Sequence, residues 1–430
     1  MRTRAAGAAI AVTGAGVVSP LGNDLASFDD ALFDGRSAIS ALALDLPGID
    51  PPPAPVARCA FDAGAEIAPS RVPLDRGTAM ALRAARDAAI AAGLKAGAVD
   101  RDRLGIFWGS GMAGAASFES TCRTVFADRR RMRPTSVVTT MPNAPAGEIA
   151  LAFGARGASL TYACACASSA VAIGEAMRAI RAGWIDIAIA GGSESMLMPG
   201  VVASWQAMRV LAPLGADADR AATLAPDACR PFAADRAGFA LGEAAAAYVL
   251  ESAAHACARG AGAQAWLAGY ASNCDGTHIT LPDASGQARA MRAALADAGL
   301  DPGSIGYVNA HGTATAAGDA AEAESIAAVF GADAVAVSST KAIHGHLLGA
   351  GGAVELLAAL RALALERVPP TASTATIDPA FAIDVVIAAS RPAPGLRHVM
   401  SNSFAFGGTN AVLVATCAER TPARPVRASG

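Results

Sequence analysis

The sequence predicts an α/β fold, and two observations carry that reading. Short apolar runs rich in Val, Ile and Ala alternate with longer alanine-rich stretches of helical character, and the order of runs in the first part is broadly repeated in the second. Such alternation marks strands and helices that share a core. Composition agrees: 53% of the 430 residues are hydrophobic, 17% are charged and 5% are aromatic. Much of the apolar share is alanine, so close backbone packing is expected in a chain long enough to bury a large core.

In chain order, AIAVTGAGVVS, RLGIFWGS, DIAIAGGSES and AAAAYVLES read as strands of the first part, and AWLAGYASN, IGYVNAHGT, VAVSSTKA, DVVIAAS and AVLVATC as strands of the second. AMALRAARDAAIAAG, SAVAIGEAMRAIRAG, GQARAMRAALADAG and GAVELLAALRALALE read as helices. A helix near 251–260 divides the chain into residues 1–258 and 259–418, and a tail at 419–430 with two Pro and three Arg is expected to be disordered. The Pro-rich stretch at 47–55 reads as a surface loop. Arg2 and Arg4 before small apolar residues have the outline of a signal peptide, but the segment runs into strand and turn, so a buried first strand is expected. No long, strongly apolar run suggests a membrane span. A net charge of -3 gives no global pull on nucleic acid or anionic lipid. Eight cysteines without a CxxC pair fit a reduced cytoplasm with one special thiol better than a disulfide framework.

Four segments carry chemistry. In TYACACASSAVAIGEAMRAI a turn with Cys164 and Cys166 feeds an amphipathic helix, whose N-terminus lowers a thiol pKa and offers N–H groups to an oxyanion. From this segment alone, two buried structural cysteines remain an equal alternative. YVNAHGTATAAGDAAEAESI puts His311 at a strand end, then Thr313 and Thr315, then Asp319 and Glu322 entering a helix. VSSTKAIHGHLLGAGGAVELL holds Lys341, the pair His344 and His346, and Glu355; nothing nearby completes a metal ligand set, so no metal is expected. SNSFAFGGTNAVLV brings Gly407 and Gly408, which allow unusual dihedrals. GSGMAG at 109–114 matches a dinucleotide-binding pattern, but no convincing helix opens there, so a nucleotide-dependent oxidoreductase ranks low.

Together and in this order, the four segments resemble the elongating β-ketoacyl-acyl-carrier-protein synthases of the thiolase superfamily, from VTGAGVVSPLGND to SFAFGGTNAVLV. The resemblance implies a duplicated thiolase-like fold in five α-β-α-β-α layers. It implies a decarboxylating condensation that needs no cofactor, on substrates carried by phosphopantetheine. Cys166 falls on the nucleophile, and His311 and His346 on the two catalytic histidines. Lys341 falls on the lysine of S-S-T-K, and Glu355 on the glutamate of GAVE. Asp319 and Glu322 fall on a structural acidic pair. Phe406, Gly407 and Gly408 fall on the gating loop, where the amides of Cys166 and Phe406 would hold an oxyanion. Thr313, Thr315, Met112 and Phe404 fall on substrate-binding positions. His344 has no catalytic counterpart. The implied partners are an acyl carrier protein, docked through Arg130, Arg131, Arg133 and Arg209, and a second subunit, either a copy or a related chain. Three departures bear on substrate range: Ala405 replaces the first glycine of the gate, residues 242–246 read GEAAA, and MPNAPAG carries two prolines. Three rivals are a non-catalytic chain-length-determining subunit, disfavoured by Cys166; a thiolase, disfavoured because SFAFGG has no second cysteine; and an initiating synthase, disfavoured because His346 stands where Asn would.

Overall fold

The computed structural model describes residues 8–67, 73–94 and 99–418. The expected tail, and Arg2 and Arg4, lie outside the described residues. Ten of the eleven strands of the main sheet form two units with one pairing order, and the eleventh, Asp384–Val385, extends the second. In the first, β1 (Ile10–Val18) is antiparallel to β5 (Ala244–Glu251) and β5 to β4 (Ile187–Glu194), while β4 is parallel to β2 (Leu104–Gly109) and β2 to β3 (Ser159–Tyr162). In the second, β6 (Ala265–Cys274) is antiparallel to β10 (Thr409–Cys417) and β10 to β9 (His398–Phe404), while β9 is parallel to β7 (Tyr307–Asn309) and β7 to β8 (Ala336–Ser338). The units touch where Ile10, Ala11 and Val12 pair with Leu267, Trp266 and Ala265. The duplication is thus plain in strand pairing, although no residue-level repeat is visible.

Helices complete five layers, α-β-α-β-α. Helices α1 (Arg76–Ala91) and α2 (Ala144–Phe153) cover the outer face of the first unit; α4 (Ala284–Ala298) and α5 (Ala316–Phe330) lie on the second. Between the sheets lie α3 (Ser168–Arg181) and α6 (Gly351–Leu365), packed together. A helix apolar on all sides must be buried, and α6 is. The stretch Leu348–Leu365 has a mean hydropathy of 1.6, is long and apolar enough to cross a membrane, and is 83% buried as core. The first turn of α3 sits hard against the sheet: a Cβ on Gly109 would stand 2.3 Å from Ser169 N, and one on Gly192 2.5 Å from Ser169 Cβ. This close seat fixes the turn that carries Cys166.

Two local expectations change. The Pro-rich loop ends at residue 53, because Ala54–Ala57 forms a short buried strand beside Ile39–Leu42. A helix does open after GSGMAG, at Ala115–Cys122. Gly114 enters it at φ 77° without a side-chain cap, which is why its start carries no sequence signal.

Candidate active site

Cys166 lies in a tight turn, Ala165–Ala167, between β3 and α3, where Ala165 takes a left-handed φ of 48°. Its thiol is 7% exposed and sits 3.1 Å from His346 Nε2. Burial pushes its pKa up to about 12, against the pull of Lys341. Burial thus works against the thiolate support expected from the helix N-terminus.

The histidines arrive from the second unit. His311 follows β7, and His346 follows the short helix Lys341–His344. Their rings meet edge to face with centroids 5.4 Å apart. The Cys166 sulfur and one nitrogen from each ring lie within 4.8 Å of one another. Burial, then Lys341, pushes both histidines well below 6.5, so both are neutral. The tautomers follow from the partners. Leu348 N–H donates to His346 Nδ1 at 3.3 Å, and Lys341 Nζ lies 3.3 Å from His311 Nδ1, so each ring carries its proton on Nε2. Lys341 is fully buried, donates to the His311 carbonyl at 2.6 Å and pairs with Glu355 from α6. Burial raises the Glu355 pKa, and Lys341 opposes it.

Glu322 on α5 accepts from the amides of His311 (2.8 Å) and Gly312 (2.6 Å) and from Asn402 Nδ2 (3.2 Å). Asp319 accepts from Phe232 N (2.7 Å) and Ala314 N (3.0 Å), and burial raises its pKa to about 7. Both brace the loop holding His311, in which Ala314 has a φ of 61°. His344 is buried away from the thiol, between the Gly345 carbonyl and Thr340 Oγ1.

Cys166, His311, His346 and Glu322 line a cavity of about 260 Å³ with Thr313, Thr315, Phe404, Ala405, Phe406 and Gly408. Thr313 and Thr315 share a 2.9 Å hydrogen bond, and Thr315 caps α5. Gly407 and Gly408 take φ of 85° and 74°, in the left-handed region that glycine favours. Phe406 is half-buried and stacks on Trp205, centroids 6.4 Å apart. Met112 does not join this cavity; it is 48% exposed in a separate apolar depression with Phe118 and Val201. Arg130, Arg131 and Arg133 rim a polar depression with Ser117, Thr121 and Thr124. Arg209 is exposed beside Met208, which does line the cavity.

Sequence reasoning missed Trp205, Phe239, whose ring meets His346 edge to face at 5.0 Å, and Glu194. The signal for Glu194 was a carboxylate in an otherwise apolar strand, DIAIAGGSES. Its carboxylate accepts from Gly111 N and Met112 N, so the GSGMAG amides that a phosphate would need are already taken. That weighs against the nucleotide-binding alternative.

Residues 8–256 match the family model "Beta-ketoacyl synthase, N-terminal domain", and residues 264–375 match its C-terminal domain. The chain belongs to the β-ketoacyl synthase family. It is 38% identical to nodulation protein E of Rhizobium sp. (strain N33) over 417 residues, spanning 94% of this chain and 98% of the relative. It is 35% identical to 3-oxoacyl-[acyl-carrier-protein] synthase 2 of Staphylococcus aureus (strain COL) over 415 residues, 94% and 97% of the two chains. Among solved structures, the ishigamide ketosynthase/chain length factor superposes with a TM-score of 0.85 at 30% identity, covering 96% of this synthase and 100% of that chain.

Proposed function

We propose that this synthase catalyses decarboxylating condensation of an acyl group on Cys166 with a malonyl group borne by an acyl carrier protein. One observation carries the reading: a single buried thiol faces two neutral imidazoles, each with Nδ1 engaged and Nε2–H left as the donor, that of His346 resting against the Cys166 sulfur. In the first half-reaction Cys166 Sγ attacks the acyl thioester, and its proton leaves with the departing pantetheine thiol. In the second, the bond from the malonyl α-carbon to its carboxylate breaks and CO2 departs. The electron pair passes to the thioester oxygen, where the Nε2–H groups of His311 and His346 hold the enolate. The α-carbon then attacks the acyl carbonyl and expels the Cys166 thiolate. Neutral histidines suit this step, because the enolate needs donors already in place. Lys341 and Glu355 keep the His311 tautomer. The Phe406 amide makes no backbone hydrogen bond among the described residues, which fits a donor reserved for the acyl oxyanion.

Arg130, Arg131, Arg133 and Arg209 carry side chains without an ion-pair or hydrogen-bond partner among the described residues, and supply the basic surface that an acidic carrier needs. Among the described residues the outer edge of β3 is unpaired, with Leu160 exposed on it and Phe118, Val137 and Val138 exposed in the segment after β2. A second chain of this fold covers that face.

Separate assays of the two half-reactions test the reading. His311→Ala or His346→Ala lowers malonyl decarboxylation by about 10²–10³-fold, the usual effect of losing one such donor, with a smaller effect on acylation of Cys166. Cys166→Ala loses condensation, whereas Cys164→Ala keeps most of it. Decarboxylation at the wild-type rate in both histidine variants refutes the assignment.

A further inference from the structure

Glu194, at the end of β4, plays no part in the chemistry above. It is 1% exposed and accepts four hydrogen bonds. Oε1 receives Ser110 Oγ at 3.1 Å and Met112 N at 3.2 Å; Oε2 receives Gly111 N at 2.6 Å and Gly349 N at 3.1 Å. Three of the four neighbours are backbone amides, which can only donate, and the Ser110 hydroxyl donates as well, so a carboxylate satisfies all four together. Three belong to the loop after β2 in the first unit. The fourth belongs to the loop after His346 in the second, so Glu194 ties one unit's nucleophile side to the other unit's histidine.

That histidine loop needs a hold. Leu348 takes a φ of 49°, a left-handed conformation that a branched side chain adopts reluctantly. A Cβ on Gly349 would stand 2.2 Å from Gly111 N and 2.5 Å from Glu194 Oε2, so the turn is pressed directly onto the carboxylate. The Leu348 amide in the same turn donates to His346 Nδ1, which leaves the proton on Nε2, 3.1 Å from Cys166 Sγ measured from the nitrogen.

We propose that Glu194 is a positioning residue for His346: by holding the Gly349 amide it keeps the Leu348 turn in its strained form, and the Leu348 amide then fixes the histidine tautomer. The proposal rests on His346 acting as an Nε2–H donor. Burial without such a role would make Glu194 a brace whose loss affects stability alone.

The test pairs nitrogen-15 spectra of labelled histidine with the two half-reactions, using full-length wild type, Glu194→Gln and Glu194→Asp. Gln keeps the shape but offers one acceptor oxygen; Asp keeps the charge but falls short of Gly349. In wild type, His346 Nδ1 is expected in the unprotonated range. In either folded variant the His346 signals shift towards mixed tautomers, and malonyl decarboxylation drops about 10- to 100-fold, the scale of a misplaced catalytic group, with acylation changed far less. Two results overturn the proposal: a protonated Nδ1 in wild type, or a folded variant with unchanged His346 signals and rate. Absence of malonyl decarboxylation in wild type would instead overturn the proposed function itself.

Discussion

Two histidines two residues apart are set to opposite tautomers by their partners. His344 Nδ1 donates to the Gly345 carbonyl at 2.8 Å and its Nε2 accepts from Thr340 Oγ1 at 2.9 Å, the reverse of His346. Burial, then Lys341, pushes the His344 pKa from 6.5 down to about 3. Between those values the unfolded chain binds a proton that the folded chain refuses. The contribution is therefore fully present above pH 6.5 and is lost as pH falls towards 3, at a limiting slope of about 1.4 kcal/mol per pH unit. His344→Gln lacks this term, so the stability gap between wild type and variant should shrink from pH 6.5 downward; urea unfolding at pH 7, 6 and 5 measures it, and a constant gap would refute the neutral His344. Cys166, His311, Lys341, His346 and Glu355 were legible in the sequence because each sits in a motif of contiguous residues. Glu194 was not, because its donors lie 82 to 155 positions away and all but Ser110 are backbone amides, which leave no mark on residue choice.

The loop proposed as a gate is short, lies between β9 and β10, and has unequal ends. Ala405 N–H is tied to the Thr409 carbonyl at 2.8 Å, and Gly407 N–H to the Ile279 carbonyl at 2.7 Å, while Trp205 covers the Phe406 ring. Only the glycine side has the left-handed freedom that a swing needs. Ala405→Gly should then speed acyl transfer to Cys166 a few-fold, most for long or rigid chains, and leave malonyl decarboxylation nearly unchanged. Single-turnover acylation across a chain-length series checks this, and identical rates throughout would make Ala405 neutral. Most long elements were readable from periodicity. Ala115–Cys122 was not, since neither a cap nor a strong apolar stripe announces it.

Across the whole molecule, the proposed chemistry comes from one end of each unit, and the proposed carrier docking falls to surface arginines. A local basic patch on a chain of net charge -3 acts at short range. Charge reversal at Arg131 and Arg209 together should raise KM for carrier-bound substrate several-fold, more so at low salt, and spare small thioester mimics. Equal effects on both substrate kinds would remove the docking role. Alternation of runs made the α/β class readable, but the middle layer was not, because sequence order does not say that α3 and α6 share it. That layer bears on how the protein is made. The last strand of the first sheet ends at Glu251, yet the Tyr248 hydroxyl on it donates at 2.6 Å to Ala353 on α6, which the ribosome has not yet built. At ordinary elongation speeds the gap is roughly 5–20 s. Throughout it, the nascent first half carries an uncovered apolar face, and its eventual cover emerges with the hydropathy of a membrane anchor. Chaperone occupancy on translating ribosomes should therefore peak after the first half is complete and fall once α6 has cleared the exit tunnel.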